Sequence, residues 1–446
     1  MATAPPPPLS FNPLRRVAGE LAAERRARGA FPPGHTRPSV RRTRAVIRDP
    51  LHLLLDAYER FGPVFSLRVL HVRNVFLLGP EANHFVLVSG AQHFRWRDGG
   101  FGDLIPLLGD GLLTVDGEFH HRHRRIVLPA FHSQRVAGYR AAMEEEIAGA
   151  LEGWRHGETV DVYRWARELA LRVAMRALFG FDPDARPAGA ADPARDFERA
   201  LSFYGEDYWL QVLRGPRTPY ARLIAARRRL DALIHAEIGR RRASGARGED
   251  VLSLLLDATD EEGGQLDDGQ VRDEVMTLLF AGHDTTTATV SFLFWELAER
   301  EDAAELDLDL ALDETLRLYP PAWIGPRRSV SEFTLHGHTV AAGVPVNYCS
   351  WASHRLPDVW EEPDAFRPER FTAERRARIP RGAYVPFGGG SRICLGMRFG
   401  QLEIKLIAAA VRERFRLERL PGHVLEIRQT PTLGPRAGLP MRIRAH

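Results

Sequence analysis

The longest helical segment in the sequence spans residues 267–300 and reads DDGQVRDEVMTLLFAGHDTTTATVSFLFWELAER. Asp267 or Asp268 can cap its start, because a short carboxylate side chain accepts hydrogen bonds from the free N–H groups of a first helical turn. A helix continuing to Arg300 would be about 50 Å long at about 1.5 Å per residue. A helix of that length crosses a whole molecule, so the sequence predicts one large helical body around it.

The rest of the chain predicts a mainly α fold with a small β region. A helical piece at residues 51–62 precedes β-leaning runs at 64–70 and 74–79, and short strands are predicted at 333–349. With 44% hydrophobic residues and no linker after about residue 50, the sequence favours a single domain over 51–446. Further helices are predicted at 134–155, 160–181, 193–213, 217–244, 249–258 and 397–414.

The N-terminal part is strongly basic. Residues 1–50 contain ten arginines against Glu20, Glu24 and Asp49, a net charge of +7 in a chain whose total is +3. One interpretation is a solvated, partly flexible basic arm that begins with a disordered lead at residues 4–8. The other is attraction to an anionic membrane surface. The small total charge argues against a nucleic-acid binder. Without a spanning apolar run or a leader, we expect a soluble, cytoplasmic monomer.

Cys394 lies in the segment PFGGGSRICLG, residues 386–396, and the chain has only one other cysteine, Cys349. Two cysteines do not make a disulfide framework or a zinc or iron–sulfur site. Cys394 can therefore be a buried bystander, a nucleophile or a thiolate ligand of a haem iron. A glycine turn offers backbone N–H groups to an anionic sulfur, and Arg392 adds a cation suited to a cofactor carboxylate.

A polar sequence, AGHDTTT at residues 281–287, interrupts the long apolar helix. Three successive threonines are poor helix formers, and their hydroxyls can bond back to carbonyls of the preceding turn. We therefore expect the helix to loosen there. Asp284 and Thr285, an acid beside an alcohol, offer a route for protons into an apolar environment.

These two patterns and a third, at residues 314–317, resemble the motifs of the cytochromes P450, and they occur in that family's order. The cysteine loop resembles the haem-binding pattern F-x-x-G-x-R-x-C-x-G, and residues 281–285 resemble the pattern of the central helix. Residues 314–317, ETLR, resemble the ExxR helix, which in the family locks to an arginine of a later segment, here FRPERF at 366–371. The matching residues are Phe387, Gly390, Arg392, Cys394 and Gly396; Ala281, Gly282, Asp284 and Thr285; and Glu314, Arg317 and Arg370.

The resemblance implies a P450 fold that holds haem b through Cys394, with Asp284 and Thr285 delivering protons. It also implies cationic contacts to the haem propionates. The family usually has W-x-x-x-R near residue 120; here the tryptophan is absent, and His120 and Arg124 stand at the matching offset. Arg327, with Arg328 as a substitute, and Arg392 are the other implied propionate ligands.

The implied activity is O₂-dependent hydroxylation of a lipophilic small molecule. The stretch after Cys394 is too short for a reductase, so a separate ferredoxin or flavodoxin-type donor, with its own reductase, would supply electrons. Segments 94–109 and 201–213, expected to roof the pocket, are apolar and aromatic, which fits a fatty acid, terpenoid, steroid or carotenoid. The short connection between Glu296 and Glu314 resembles compact bacterial P450s, a carotenoid-hydroxylating one among them.

Three alternatives remain open at this point. A cysteine hydrolase using Cys394 with His354 would need no haem. A haem-thiolate peroxygenase would use peroxide, and a haem-binding sensor would turn nothing over.

Overall fold

The computed structural model describes residues 13–27, 31–181, 192–206, 208–245, 248, 250–259 and 263–446. The predicted disordered lead at residues 4–8 lies outside these described residues. Contacts divide the described chain into two compact units. The first contains residues from 104–308 and 395–446, and the second contains residues from 13–103 and 309–394.

The α-helices are, in chain order, α1 (Pro13–Arg26), α2 (Val40–Arg48), α3 (Pro50–Phe61), α4 (Pro80–His84), α5 (Ile105–Leu108), α6 (Gly117–Val127), α7 (Ser133–Gly138), α8 (Arg140–Leu151), α9 (Val162–Val173), α10 (Pro193–Gly205), α11 (Tyr208–Gln211), α12 (Pro219–Ser244), α13 (Val251–Asp257), α14 (Asp268–Leu297), α15 (Leu308–Leu318), α16 (Ser350–Ser353), α17 (Ala373–Arg376) and α18 (Met397–Arg414). The strands are β1 (Gly34–His35), β2 (Val64–Val69), β3 (Val72–Leu77), β4 (Phe94–Arg95), β5 (Thr159–Asp161), β6 (Ile324–Ser329), β7 (Phe333–Leu335), β8 (His338–Val340), β9 (Pro345–Cys349), β10 (Phe415–Arg419), β11 (Ile427–Arg428), β12 (Gly434–Pro435) and β13 (Pro440–Ala445). Short 3₁₀ and π turns join several of these elements.

The first unit is a helical assembly around α14. Asp267 caps α14 by accepting from the Gln270 N–H, and the Gln270 side chain accepts in return from the Asp267 N–H. Helices α9, α12, α13 and α18 pack against α14, so it is buried on nearly all sides. A three-stranded antiparallel sheet of β10, β13 and β5 and the small β11–β12 hairpin complete this unit.

The second unit is built on a six-stranded sheet in the order β1-β2-β3-β9-β6-β4. Strands β2 and β3 form a hairpin with Val64 opposite Leu77, and β3 runs parallel to β9 with Val75 opposite Val346. These four side chains are fully buried in the apolar core of the unit, which explains why this part of the chain reads as β-branched and apolar runs. Strand β6 lies antiparallel to β9 and carries Arg327 and Arg328.

The mainly α fold with a small β region is confirmed. Two local predictions were wrong. Segment 193–213 is two helices, since α10 ends at Gly205 where Glu206 is extended, and α11 starts at Tyr208. Helix α14 is unbroken to Leu297, without the predicted loosening near residues 281–287. The division into a basic arm at 1–50 and one haem domain at 51–446 stays a prediction.

Candidate active site

The middle of α14 has one exposed turn. Ala281 is exposed and Gly282 and Thr285 are half-buried, whereas the residues on either side, from Glu274 to Phe280 and from Thr286 to Phe294, are buried. Thr285 lies three residues after Gly282 and four after Ala281, and positions three and four residues apart lie on one helical face. The turn therefore leaves a small accessible surface of backbone and one hydroxyl on an otherwise enclosed helix.

Four hydroxyl groups in α14 bond within the helix itself. Thr285 Oγ1 donates to the Ala281 carbonyl at 2.6 Å, and Thr287 Oγ1 donates to the His283 carbonyl at 2.8 Å. Thr289 and Ser291 make the same bond to the carbonyl four residues earlier. Because each hydroxyl is satisfied one turn back, β-branched polar residues fit an unbroken helix in an apolar interior.

Asp284 is buried and held by three donors from distant parts of the first unit. Its carboxylate accepts from Arg167 of α9, from Arg428 at 3.2 Å and from the Thr432 hydroxyl. Burial alone would raise the pKa of Asp284, but the two guanidinium groups outweigh it and lower the pKa to about 2. Asp284 is therefore ionised near neutral pH, and no hydrogen bond joins it to Thr285 within this described helix.

The partners of Asp284 continue toward the surface. Arg167 also donates to Glu198 at 2.7 Å and to the Tyr163 hydroxyl at 3.0 Å. Glu198 is about a third exposed and lies 3.2 Å from Nε2 of the buried His283. The sequence analysis missed this chain of polar groups, because no spacing rule links residues 167 and 198 to 284.

Glu403 of α18 is a second buried acid that the sequence analysis missed. It is 2% exposed, hydrogen-bonded to Thr286 of α14, and its Oε1 atom has no partner among the described residues. Burial raises the pKa of Glu403 to about 8. From the sequence alone, Glu403 is one charged residue of an amphipathic helix. The single indication that it is buried is its position on the apolar face of that helix.

Helix α6 carries His120, which is buried, and Arg124, which is half-buried. A buried hydrogen bond anchors this helix to α14: His123 Nδ1 lies 2.7 Å from Glu274 Oε1, and both side chains are fully buried. The Leu112 N–H donates to the other carboxylate oxygen at 3.2 Å. This contact fixes the position of α6 relative to α14, and therefore the positions of His120 and Arg124.

In the second unit, the loop before Cys394 is a tight glycine turn that leaves the cysteine exposed. The Cys394 N–H donates to the Phe387 carbonyl at 2.9 Å, which closes the turn. Gly390 has a φ of +61°, and a Cβ there would lie 2.2 Å from the Leu87 carbonyl oxygen. Only glycine fits at 390, because any side chain there would clash with the Leu87 backbone. The close packing of this turn holds the loop in the conformation that leaves the Cys394 sulfur exposed. Gly396 directly precedes α18.

Two arginines of the second unit converge on one aromatic ring. The guanidinium carbon of Arg327 lies 3.7 Å from the centre of the Trp96 ring, and that of Arg392 lies 4.8 Å from it. Arg328 points elsewhere and donates to the carbonyls of Asp98 and Gly343. An accessible thiol and two clustered cations are a donor set that fits an iron porphyrin with its carboxylates. Arg327 fits that role better than Arg328.

Glu314, Arg317 and Arg370 form one buried ion cluster in the second unit. Both carboxylate oxygens of Glu314 accept from Arg317 at 2.8 Å, and Arg370 Nε donates to Glu314 at 3.2 Å. Arg317 also donates to the carbonyls of His354 and Pro363. The cluster ties α15 to the coil that leads to the cysteine loop.

The geometry of His354 opposes a cysteine hydrolase. His354 is fully buried, its Nε2 accepts from the Val385 N–H at 2.9 Å, and its Nδ1 lies 3.1 Å from the Arg317 carbonyl. Burial lowers the pKa of His354 to about 3. Both ring nitrogens are committed to the backbone, so neither can serve Cys394 as a base. Cys349 is buried and unpaired, and burial raises its pKa to about 12.

The predicted site residues fall into two groups. Ala281, Asp284 and Thr285 on α14 lie in the first unit with His120 and Arg124 of α6. The second unit holds Phe387, Arg392 and Cys394 of the loop, with Arg327 and the Glu314 cluster. In the described part of the chain, His, Cys, Asp and Glu form no group of three that could hold a metal ion.

The cytochrome P450 family model matches residues 37–305 and 308–438, so the chain belongs to the cytochrome P450 family of haem-binding monooxygenases. A Streptomyces melanosporofaciens relative named cyclooctat-9-en-7-ol 5-monooxygenase is 34% identical over 87% of this chain and 89% of its own length. A Synechocystis relative, putative cytochrome P450 120, is 30% identical over 87% of this chain and 90% of its own. The retinoic acid-bound structure of a cyanobacterial P450, CYP120A1, superposes with a TM-score of 0.82 at 28% identity, covering 93% of this chain and 99% of that one.

Proposed function

We propose that this monooxygenase holds haem b through Cys394 and hydroxylates a lipophilic small molecule that already carries one oxygen group. The observation that carries the proposal is the exposed turn of α14, where Ala281 and the Thr285 hydroxyl are accessible beside the clamped carboxylate of Asp284. An accessible alcohol next to a buried acid, in an apolar helix, suits controlled proton delivery.

Haem bound through a cysteine thiolate supplies O₂ activation, with the thiolate donating electron density that favours O–O cleavage. The chain's own groups do the rest. Arg327 and Arg392, and His120 and Arg124 of α6, would neutralise the carboxylates of the haem. The Glu314 cluster holds the coil before the loop, and the Phe387 carbonyl holds the Cys394 amide.

Thr285 is suited to position rather than to supply a proton. Its own hydroxyl hydrogen is committed to the Ala281 carbonyl, so its free lone pairs accept from water or from a protonated group at the exposed turn. Asp284, ionised near neutral pH, passes protons only by first taking one from the surface side, where Arg167 and Glu198 lie.

The substrate class rests on the relatives. One is named for an alcohol with a hydrocarbon skeleton, cyclooctat-9-en-7-ol, and a solved relative binds retinoic acid. Both molecules are hydrocarbon-rich and carry one oxygen function, which fits the terpenoid member of the substrate classes considered above. A separate ferredoxin or flavodoxin-type donor, paired with its reductase, would provide the electrons.

The test combines binding and turnover. Terpenoid alcohols, retinoic acid and fatty acids are titrated into the haem-loaded protein while the haem spin state is followed, and binders are incubated with NADH and a ferredoxin–reductase pair. We expect a spin-state shift and NADH-dependent hydroxylated product with a terpenoid ligand. Product formed with hydrogen peroxide alone would favour a peroxygenase. Binding without turnover under either condition would favour a sensor.

A further inference from the structure

Helix α2 carries a basic and apolar surface that the haem chemistry does not use. Val40 is 70% exposed and Ile47 is 60% exposed, and no residue of this nine-residue helix is buried. Seven residues correspond to about two turns, so the two side chains lie about 20° apart around the helix axis. Exposed aliphatic residues this close together form an apolar edge on the surface of the second unit.

Arginines border this edge on one side. Arg41 and Arg44 are exposed and lie within about 100° of Val40 around the axis, and the exposed Arg37 precedes the helix. Neither Arg41 nor Arg44 has an ion pair within the described chain. The sequence has eight arginines and no acid between Glu24 and Asp49. We call the six residues Arg37, Val40, Arg41, Arg44, Ile47 and Leu70 the α2 patch.

The structure holds the α2 patch in place. Ser39 caps α2 by accepting from the Arg42 N–H, and Arg42 donates to the Arg37 carbonyl at 3.0 Å. Leu70, 37% exposed in the turn between β2 and β3, donates its N–H to Thr43 Oγ1 at 3.3 Å. Burial, then Arg42 and Arg60, lowers the pKa of the neighbouring His35, as expected where cations accumulate.

We propose that the α2 patch docks this P450 on the surface of an anionic phospholipid bilayer. The aliphatic edge enters the boundary between headgroups and acyl chains, while the guanidinium groups pair with lipid phosphates at their side. A protein partner is less consistent with the patch, because the patch has arginines but none of the tyrosine or tryptophan side chains that join arginine in the anchors of protein interfaces. Docking would place the enzyme where lipophilic molecules partition, but it does not depend on which of them is the substrate.

The experiment is vesicle cosedimentation of the full-length, haem-loaded chain. Vesicles of phosphatidylglycerol and phosphatidylcholine are compared with vesicles of phosphatidylcholine alone, at low and high salt. We expect binding to the anionic vesicles only and weakening by salt, because surface charges are screened. Arg41→Gln with Arg44→Gln should lower partitioning by about five-fold for each arginine. Val40→Asp with Ile47→Asp should lower it by about ten-fold or more.

Matched controls exist in the same chain. Val424 is 75% exposed, and Arg375 and Arg378 are exposed without ion pairs in the described structure. Val424→Asp and the pair Arg375→Gln with Arg378→Gln should leave partitioning unchanged, while Ile47→Trp should raise it. Haem absorbance and circular dichroism verify that each variant is folded.

Two kinds of result would overturn the proposal. The first is equal binding to neutral and anionic vesicles, or equal losses in the control variants. The second is a loss confined to the arginine variants while the aspartate variants bind fully, which would indicate an acidic protein or another polyanion in place of a bilayer.

Discussion

The guanidinium of the half-buried Arg167 on α9 and the buried carboxylate of Asp284 on α14 form an ion pair that joins the two helices. Arg167 is simultaneously bonded to Glu198, which reaches solvent, so one arginine connects the acid beside the exposed turn with the outside of its unit. Any proton that reaches Asp284 from this side must pass a group that stabilises the ionised carboxylate. In the proposed proton delivery, the pair would therefore act as a controlled entry and not as an open channel.

Asp284→Asn should slow NADH-dependent product formation by about ten-fold or more, since an amide cannot carry a proton between donors. It should also lower the melting temperature, because Arg167 and Arg428 lose a buried anionic partner. The slower product formation is measured as initial rates in H₂O and in D₂O. Asp231, which pairs with the buried Arg272, is the control: Asp231→Asn should reduce stability alone. Equal rates in the two variants would remove Asp284 from proton delivery.

Thr285→Ala should bind haem and substrate and consume NADH, yet release more hydrogen peroxide and less product for each NADH. The reason is that the accessible hydroxyl of Thr285 is the acceptor at the exposed turn. Thr287 makes the same bond to the carbonyl four residues back but is buried. Thr287→Ala should cost about 1 kcal/mol of stability and leave the product-to-NADH ratio alone. A normal ratio in Thr285→Ala would assign that residue a purely structural role.

Cys394→Ser should abolish the thiolate-type spectrum of the reduced, CO-bound protein, and Cys349→Ser should retain it. Only Cys394 is exposed; Cys349 is buried, and its raised pKa of about 12 keeps it a neutral thiol. Difference spectra of the two reduced, CO-bound variants show which cysteine is the haem ligand. Retention of the spectrum by Cys394→Ser would refute Cys394 as the haem ligand.

Glu314→Ala should yield little haem-loaded protein. The substitution leaves Arg317 and Arg370 buried without their shared carboxylate, at a cost of about 3–5 kcal/mol. Asp302, which pairs with Arg300 on the surface, is the control, because exposed pairs contribute at most about 1 kcal/mol. Haem content and urea unfolding of both variants provide the measurement. A Glu314→Ala protein as stable as Asp302→Ala would show that the cluster is dispensable.

Glu403 should make the protein less stable as the pH rises from about 5 to about 8. In that window an unfolded glutamate, whose pKa is 4.5, has released its proton, whereas the folded one, with a pKa of about 8, retains it. The unfolded state thus binds fewer protons, and stability falls by up to a few kcal/mol before levelling above about pH 8. Glu403→Gln should flatten this decline in urea unfolding across the range. Glu418→Gln, in an exposed pair with Arg444, should keep it.

Much of the fold could be predicted because its signals are local. The apolar run of α14, its Asp267 cap and the β-leaning runs of β2 and β3 each depend on neighbouring residues alone. The break between α10 and α11 escaped prediction, since periodicity does not detect a change of direction at Gly205 and Glu206. The expected loosening at residues 281–287 was wrong, because Thr285 and Thr287 bond to carbonyls of their own helix and Thr286 is hydrogen-bonded to Glu403.

The site was predictable only where a motif places its members at fixed spacing. Glu314 and Arg317 are three residues apart, so their pairing can be read from the helix period. The donors to Asp284 come from residues 167, 428 and 432, and the partner of Glu403 comes from another helix. Such pairings arise from tertiary packing, and a single sequence has no period that encodes them.

The hydroxyls of α14 have a consequence for laboratory evolution of the enzyme. Because Thr287, Thr289 and Ser291 bond only to carbonyls of their own helix, replacing one with valine or alanine leaves no orphaned partner in a neighbouring element. Asp284 is the opposite case, since three distant donors depend on it. One helix thus combines positions that tolerate independent substitution with one that evolves only together with its partners.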